Sequence, residues 1–444
     1  MTTRPQLSEA VLGEINRAAI PLSFDPEDYD PLLDWIGTRR VVLLGESSHG
    51  THDFYRERAA ITRRLIEEKG FNAIAIEGDW PDAHRVHRFL TGRGPDSNAR
   101  DALGGFQRFP AWMWRNMDVL ALLDWLQAFN SKRPRTEKVG FYGLDLYSLH
   151  ASMRAVLDYL DKVDPEAAQR ARSRYGCFDH FGEDPQAYGY SANFDLSKGC
   201  TDEVVAQLVE LERRSADLAM RDGHVDPEDY LTAEQNARLV QKAEHYYRTM
   251  FSGGAESWNV RDRHMSETLE WLLQVRPAAK VVVWAHNSHL GDARGTEMSE
   301  RGEVNLGQLA RERYGDEVFA LGFTTHSGEV TAASAWDEPA ERRIVRPALR
   351  DSYEALFHDT QIPVFLLPMH DSIIQPLFDR PRLQRAIGVV YAPESERISR
   401  YFHGRMSAQF DAVIHIDRTK ALVPFERTST WATGEMPETY PYAV

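Results

Sequence analysis

Four short apolar runs in this chain each end in acidic or imidazole side chains, and they constrain the fold more than any other feature. Val41–Leu44 leads into Gly45-Glu46-Ser47-Ser48-His49, and Ala73–Ile76 into Glu77-Gly78-Asp79. Val139–Leu144 leads into Asp145, and Val281–Ala285 into His286-Asn287-Ser288-His289. A continuous aliphatic run of this length reads as a strand buried on both faces, as in a parallel sheet. Ligands on open α/β sheets collect beyond the carboxyl ends of the strands. Those ends carry Glu46, His49, Glu77, Asp79, Asp145, His286 and His289, so an active site is expected there.

The intervening segments support an α/β fold: a mostly parallel central sheet flanked by helices. Phe54 to Lys69 has helical periodicity, with Gly70 placed to end the helix, so the first two strands form a βαβ unit. A helix is predicted over roughly 112–130. From 150 to 276 the pattern turns helical, with helices predicted at 152–162, 202–221, 232–251 and 260–275, and Thr232 as an N-cap. This stretch is expected to be an insertion or lid over the carboxyl edge of the strands. The aromatic segment 175–190 within it is read as a loop that forms a lid or a pocket wall, or that simply packs on the helices. Strands are then expected at 318–323, 364–367, 386–391 and 412–416. With no repeat or linker, residues 1–444 are expected to form one unit.

Composition excludes several function classes. The net charge of −15, without a basic block, argues against nucleic acid or an anionic membrane as partner. The N-terminus lacks an apolar signal region and no stretch approaches bilayer-spanning length, so a cytoplasmic location is predicted. Cys177 and Cys200 are the only cysteines. Two in so long a chain are expected to be free thiols in a reducing compartment.

Familiar catalytic patterns are missing. Gly45-Glu46-Ser47-Ser48-His49-Gly50 is not a nucleophile elbow, because His stands where that motif needs Gly. There is no Walker A sequence, no H-E-x-x-H and no G-x-G-x-x-G after a strand. What remains is Glu-x-x-His after one strand, His-x-x-His after another, Glu77 and Arg58. Two chemistries fit. An imidazole oriented by a carboxylate can take a proton from water. Alternatively, Glu46, His49, His286 and His289 can bind a divalent metal that acidifies the water.

The string Gly45-Glu46-Ser47-Ser48-His49-Gly50-Thr51, with Phe54 and Arg58 following, resembles the signature of the erythromycin esterase family. So do Ile76-Glu77-Gly78-Asp79-Trp80-Pro81-Asp82, Gly143-Leu144-Asp145-Leu146-Tyr147-Ser148, Ala255-Glu256-Ser257-Trp258-Asn259, Arg261-Asp262-Arg263-His264-Met265 and Trp284-Ala285-His286-Asn287-Ser288-His289. The resemblance implies hydrolysis of an ester or lactone by directly activated water, with no serine acyl-enzyme and no required cofactor. It implies His49 as general base, with Glu46, Glu77, Arg58, His286 and His289 as its catalytic company, and a small-molecule ester as partner. Arg58 or a protonated histidine is expected to stabilise the oxyanion. Asp79, Trp80, Asp145, Tyr147 and Trp258 are candidate substrate contacts. His52 is read as lying at the surface or just behind the reacting groups, His245 and His264 as structural, and Arg261 and Arg263 as partners of acids. A metal-dependent hydrolase and a non-catalytic binding protein are the alternatives.

Overall fold

The computed structural model describes residues 4–182, 184–194, 199–214 and 227–433. Thirteen strands are assigned among them. They are β1 (Ile20–Pro21), β2 (Val41–Leu44), β3 (Ala73–Asp79), β4 (Gly140–Asp145), β5 (Val281–Trp284), β6 (Val318–Thr324), β7 (Ser327–Ala332), β8 (Glu341–Val345), β9 (Val364–Pro368), β10 (Arg382–Arg385), β11 (Tyr401–Gly404), β12 (Ala412–Ile416) and β13 (Arg418–Thr419). Eight form the central sheet, in the order β1-β9-β12-β6-β2-β5-β3-β4. Its ladders are parallel except at β9, which runs antiparallel to both β12 and β1.

The side-chain period of two along each strand explains why both faces are covered. Val41, Leu43, Ala73, Ala75, Val281 and Val283 point into one core, packed on helices that include Leu149–Val163, Pro227–Thr249 and Glu256–Val275. Their neighbours Val42, Leu44, Ile74, Ile76, Val282 and Trp284 point into the other, against His52–Lys69, Trp80–Thr91 and Met117–Ser131. With helices on both faces, polar side chains on these strands are left to the ends. Strand β5 lies between β2 and β3. Three of the four charged strand ends are therefore adjacent, and β4 follows beside β3.

Helix boundaries agree with the periodicity to within a few residues, and Gly70 takes the left-handed conformation (φ 71°) at the end of His52–Lys69. The predicted helix at 112–130 starts at Met117, preceded by a 3-10 turn. That at 202–221 runs over Thr201–Arg213, and its last predicted turns lie outside the described residues. Thr232 is interior to Pro227–Thr249 rather than its cap. The described residues of the aromatic stretch 175–190 pack among the helices and do not line the cavity at the strand ends. The stretch folds as Gly176–Phe181 and Pro185–Asn193, and Phe178 and Tyr188 are buried edge to face with centroids 4.9 Å apart.

Two further expectations are corrected. Residues 386–391 form no strand; they bend at Val389 and make single bridges at Ile387 and Val390. The neighbouring β10 pairs with β11 instead. Cys177 and Cys200 are not free thiols but form a disulfide, with Cα atoms 5.9 Å apart. It ties the 3-10 turn Gly176–Phe181 to the start of Thr201–Arg213. No helix among the described residues is long and apolar enough to cross a membrane. Thiol titration of the denatured protein, purified without reductant, should find no free thiol per chain; two would show that the bridge does not form.

Candidate active site

The turn after β2 presents a carboxylate and an imidazole that bond to each other. His49 Nδ1 lies 3.0 Å from Glu46 Oε1. An ionised carboxylate can only accept, so the proton sits on Nδ1 and leaves Nε2 as the basic nitrogen. The other Glu46 oxygen accepts from Arg58 Nη2 at 2.7 Å. Arg58 arises from His52–Lys69 and is fully buried, its guanidinium 4.4 Å from the Tyr55 ring and 4.6 Å from that of Trp284. It lies behind Glu46 and does not line the cavity. The expectation that Arg58 faces an oxyanion is therefore corrected: it anchors the residue that orients His49.

The end of β5 is locked against β2 and β6 by backbone chemistry. Asn287 N–H donates to Glu46 O at 2.8 Å, while its side-chain amide donates to Phe323 O at 2.7 Å. His286 consequently stands beside His49, with ring centroids 4.8 Å apart. Burial, followed by the neighbouring His49, pushes the His286 pKa well below the ordinary imidazole value, so this ring is neutral. Its Nδ1 faces Ser288, 2.8 Å from Oγ and 3.2 Å from the backbone N–H.

Glu77, at the end of β3, is the point where these groups meet. Its Oε1 accepts from Arg261 Nη2 at 2.7 Å, and its Oε2 from the His286 backbone N–H at 2.8 Å. His289 Nε2 lies 3.3 Å and His49 Nε2 4.0 Å from Oε1. Burial alone would raise its pKa, but the His289 and His49 imidazoles and the Arg261 guanidinium hold it well below the usual carboxylate range. His289 shifts the other way. Burial disfavours its charge, yet Asp262, with both oxygens 2.9 Å from Nδ1, and Glu77 raise it to about 9. These acids favour the charged imidazole, which stacks under Trp258 with centroids 4.6 Å apart and has its Nε2 3.1 Å from Arg261 Nη1.

Arg261 clamps the remaining acid, donating to both oxygens of Asp145 at 3.0 and 2.7 Å. Asp79 accepts from the Tyr147 backbone N–H at 2.8 Å and from Arg108 Nε at 3.2 Å. The Tyr147 ring lies 4.6 Å from the Arg108 and 4.9 Å from the Arg261 guanidinium. His49, Glu77, Asp79, Asp145, Tyr147, Trp258, His286 and His289 all line one cavity of about 320 Å³. Of the expected substrate contacts, Trp80 is the exception. Its ring is buried in the core, 5.8 Å from Tyr142 and 5.3 Å from Trp271, because the first position of Trp80–Thr91 faces the sheet.

Arg261 and Asp262, read as partners of acids or left without a role, sit at the centre of the site. Their signal was the spacing Trp258, Arg261, Asp262, Met265, one inward face of Glu256–Val275 that carries two charges where apolar residues are usual. Arg108 and Asp82 also line the cavity and were not anticipated. His52 pairs with Asp118 at 2.9 Å, and neither His245 nor His264 lines the cavity. The four residues proposed as metal ligands do not converge on a common point. Glu46 is taken up by His49 and Arg58, and His289 directs its nitrogens at Asp262 and Glu77. Among the described residues no group of three or more acidic, His or Cys side chains has metal-holding geometry.

Comparison with known proteins gives this arrangement a family. Residues 66–419 match the family described as Erythromycin esterase, so the chain belongs to the erythromycin esterase family of ester-bond hydrolases. Erythromycin esterase type II of Escherichia coli is 26% identical over 325 residues, covering 69% of this chain and 74% of that protein. Among solved structures, a succinoglycan biosynthesis protein superposes with a TM-score of 0.75 at 20% identity, covering 95% of this chain and all of that one. A mutant of erythromycin esterase EreC in its open conformation gives 0.64 at 20% identity, covering 90% and 95%. At these identities the structural likenesses speak for the fold.

Two outcomes test the electrostatics. Arg58→Ala leaves Glu46 buried without its cation, which should cost about 3–5 kcal/mol of stability by denaturant unfolding; unchanged stability would contradict the anchoring role. Asp262→Asn should lower the His289 pKa from about 9. A raised folded pKa contributes stability in full below the unfolded value and loses it as pH rises through the folded value. The wild type should therefore lose stability progressively between about pH 6.5 and 9, and the variant should lose less over that window.

Proposed function

We propose that this chain hydrolyses a carboxylic ester with a water activated directly by His49, without a covalent intermediate and without a required metal. The observation that carries this reading is the Glu46–His49 hydrogen bond of 3.0 Å, which leaves Nε2 as the free nitrogen 4.0 Å from Glu77 in the same cavity. A water held between them loses a proton to Nε2 as its oxygen attacks the ester carbonyl. The tetrahedral oxyanion develops beside the cations His289 and Arg261, whose positions are fixed before substrate arrives. On collapse the bond to the alkoxide breaks and His49 returns its proton to that leaving oxygen. Glu77 stays ionised throughout and holds the cations and the water.

The donor geometry supports metal-free chemistry, since only His49 of the four candidate ligands keeps a free basic nitrogen: Glu46 is engaged by His49 and Arg58, His286 Nδ1 by Ser288, and His289 by Asp262 and Glu77. A serine nucleophile has one observation in its favour, the 2.8 Å contact of Ser288 Oγ with His286 Nδ1. That nitrogen also accepts the Ser288 backbone N–H, so the contact caps the short turn Asn287–Leu290, and no carboxylate orients His286. The cavity of about 320 Å³ is at the lower end of the roughly 300–1,000 Å³ usual for small-molecule sites. A compact natural-product or metabolite ester fits it better than a macrolide lactone.

A panel of small esters, lactones and a macrolide should reveal turnover. On any ester hydrolysed, His49→Ala and Glu77→Ala should each lower kcat by about two orders of magnitude or more. Ser288→Ala should retain turnover and chelators should leave it unchanged. Wild-type rates from His49→Ala would remove the proposed base. A burst of alcohol release abolished by Ser288→Ala would replace water with an acyl-enzyme.

A further inference from the structure

Three of the four acids lining the cavity are paired with a cation of the protein. Glu77 and Asp145 share Arg261, and Asp79 has Arg108. The fourth acid, Asp82, lines the same cavity and has neither a hydrogen bond nor an ion pair among the described residues. Asp82 occupies the first turn of Trp80–Thr91, partly shielded from solvent. The 3-10 turn Leu103–Gly105 passes close enough that a Cβ on Gly105 would stand 3.2 Å from its Oδ1. The cavity walls near this loop are aromatic. Phe106 and Trp114 lie 6.2 Å apart, and Phe109 meets Trp336 edge to face at 4.9 Å.

A half-buried carboxyl without a cation is a costly arrangement unless it is neutral or a ligand supplies the missing charge. Aromatic faces beside a carboxylate are the usual surroundings of a bound ammonium. We propose that Asp82 is a specificity-determining residue that receives a basic amine on the alcohol or acyl portion of the ester, remote from the bond cleaved at His49. This rests on the reading of the cavity as the substrate site, but it requires nothing of the hydrolytic step.

The electrostatics of the free protein agree. Burial, followed by repulsion from Asp79, raises the Asp82 pKa to about 8, against the opposing pull of Arg108 and Arg85. Arg85 is committed to Asp96 at 2.6 Å, and Arg108 to Asp79. At neutral pH Asp82 therefore holds a proton, and an arriving ammonium expels it. Amine binding should release a proton and strengthen as pH rises from 6 through about 8.

A pair of non-hydrolysable ethers tests this: 4-phenoxybutylamine and 4-phenoxybutan-1-ol, titrated calorimetrically against the full chain at pH 6, 7 and 8. At pH 8 the amine should bind at least about tenfold more tightly than the alcohol, the scale of one charge-assisted hydrogen bond. Repeating the pH 7 titration in buffers of different ionisation enthalpy should show proton release for the amine and none for the alcohol. Asp82→Asn should erase both the preference and the proton release. His49→Ala should keep both, which separates this proposal from the hydrolytic one. Equal or tighter binding of the alcohol to the wild type would overturn the assignment, as would a preference for the amine that survives Asp82→Asn. Should Asp82→Asn fail to fold, the wild-type proton release and amine preference decide alone.

Discussion

One buried carboxylate, Glu77, holds the site together. It accepts from the guanidinium of Glu256–Val275 and from the backbone that follows β5, and it faces the imidazoles that follow β2 and β5. The contacts come from three separate parts of the chain, and none would survive alone in a low-dielectric interior. An unpaired buried carboxylate would protonate, an unpaired His289 would lose its charge, and an unpaired Arg261 would move into water. Together they form a net in which every charge is fixed by its neighbour. The positive groups are thereby fixed in place before any substrate arrives, which is the condition for stabilising a developing oxyanion cheaply.

Much of this was legible in the sequence because a parallel sheet imposes a strong pattern. Strands buried on both faces must be apolar along their length, so the first polar residue after each run marks the ligand-binding edge. That rule placed Glu46, His49, Glu77, Asp145, His286 and His289 at one edge, and all of them but Glu46, which holds His49 from behind, line one cavity. The strands outside that rule were not legible. Ser327–Ala332 and Glu341–Val345 pair on a small, partly exposed sheet and carry polar residues throughout much of their length. Conversely, the apolar stretch 386–391 has the composition of a strand, but its neighbours offer it only isolated bridges.

The misplaced roles share a physical cause: sequence gives a residue's element but not the side of that element it occupies. Arg58 lies one helix beyond Glu46 and points beneath it, between Tyr55 and Trp284, rather than into the cavity. Trp80 follows the active-site edge by one residue, yet its ring turns back to the sheet. Arg261 shows the reverse error, because an arginine beside an acid in sequence is read as a surface pair until the helix face is known. The cysteines failed for a different reason. Their number argued against a disulfide framework, but a single bridge within a helical region needs only that two turns come within reach.

The position of β5 in the sheet has a consequence for how the molecule is made. Strand β2 pairs only with β5 and β6, and β3 reaches β2 only through β5. Until residue 281 leaves the ribosome, β3 and β4 have each other but β2 has no partner, and its apolar faces wait through the synthesis of the whole helical stretch. Such distant pairings are slow to close and leave sticky edges open meanwhile. The histidines that complete the catalytic edge therefore arrive on the keystone strand, so that assembly of the sheet and assembly of the site are one late event.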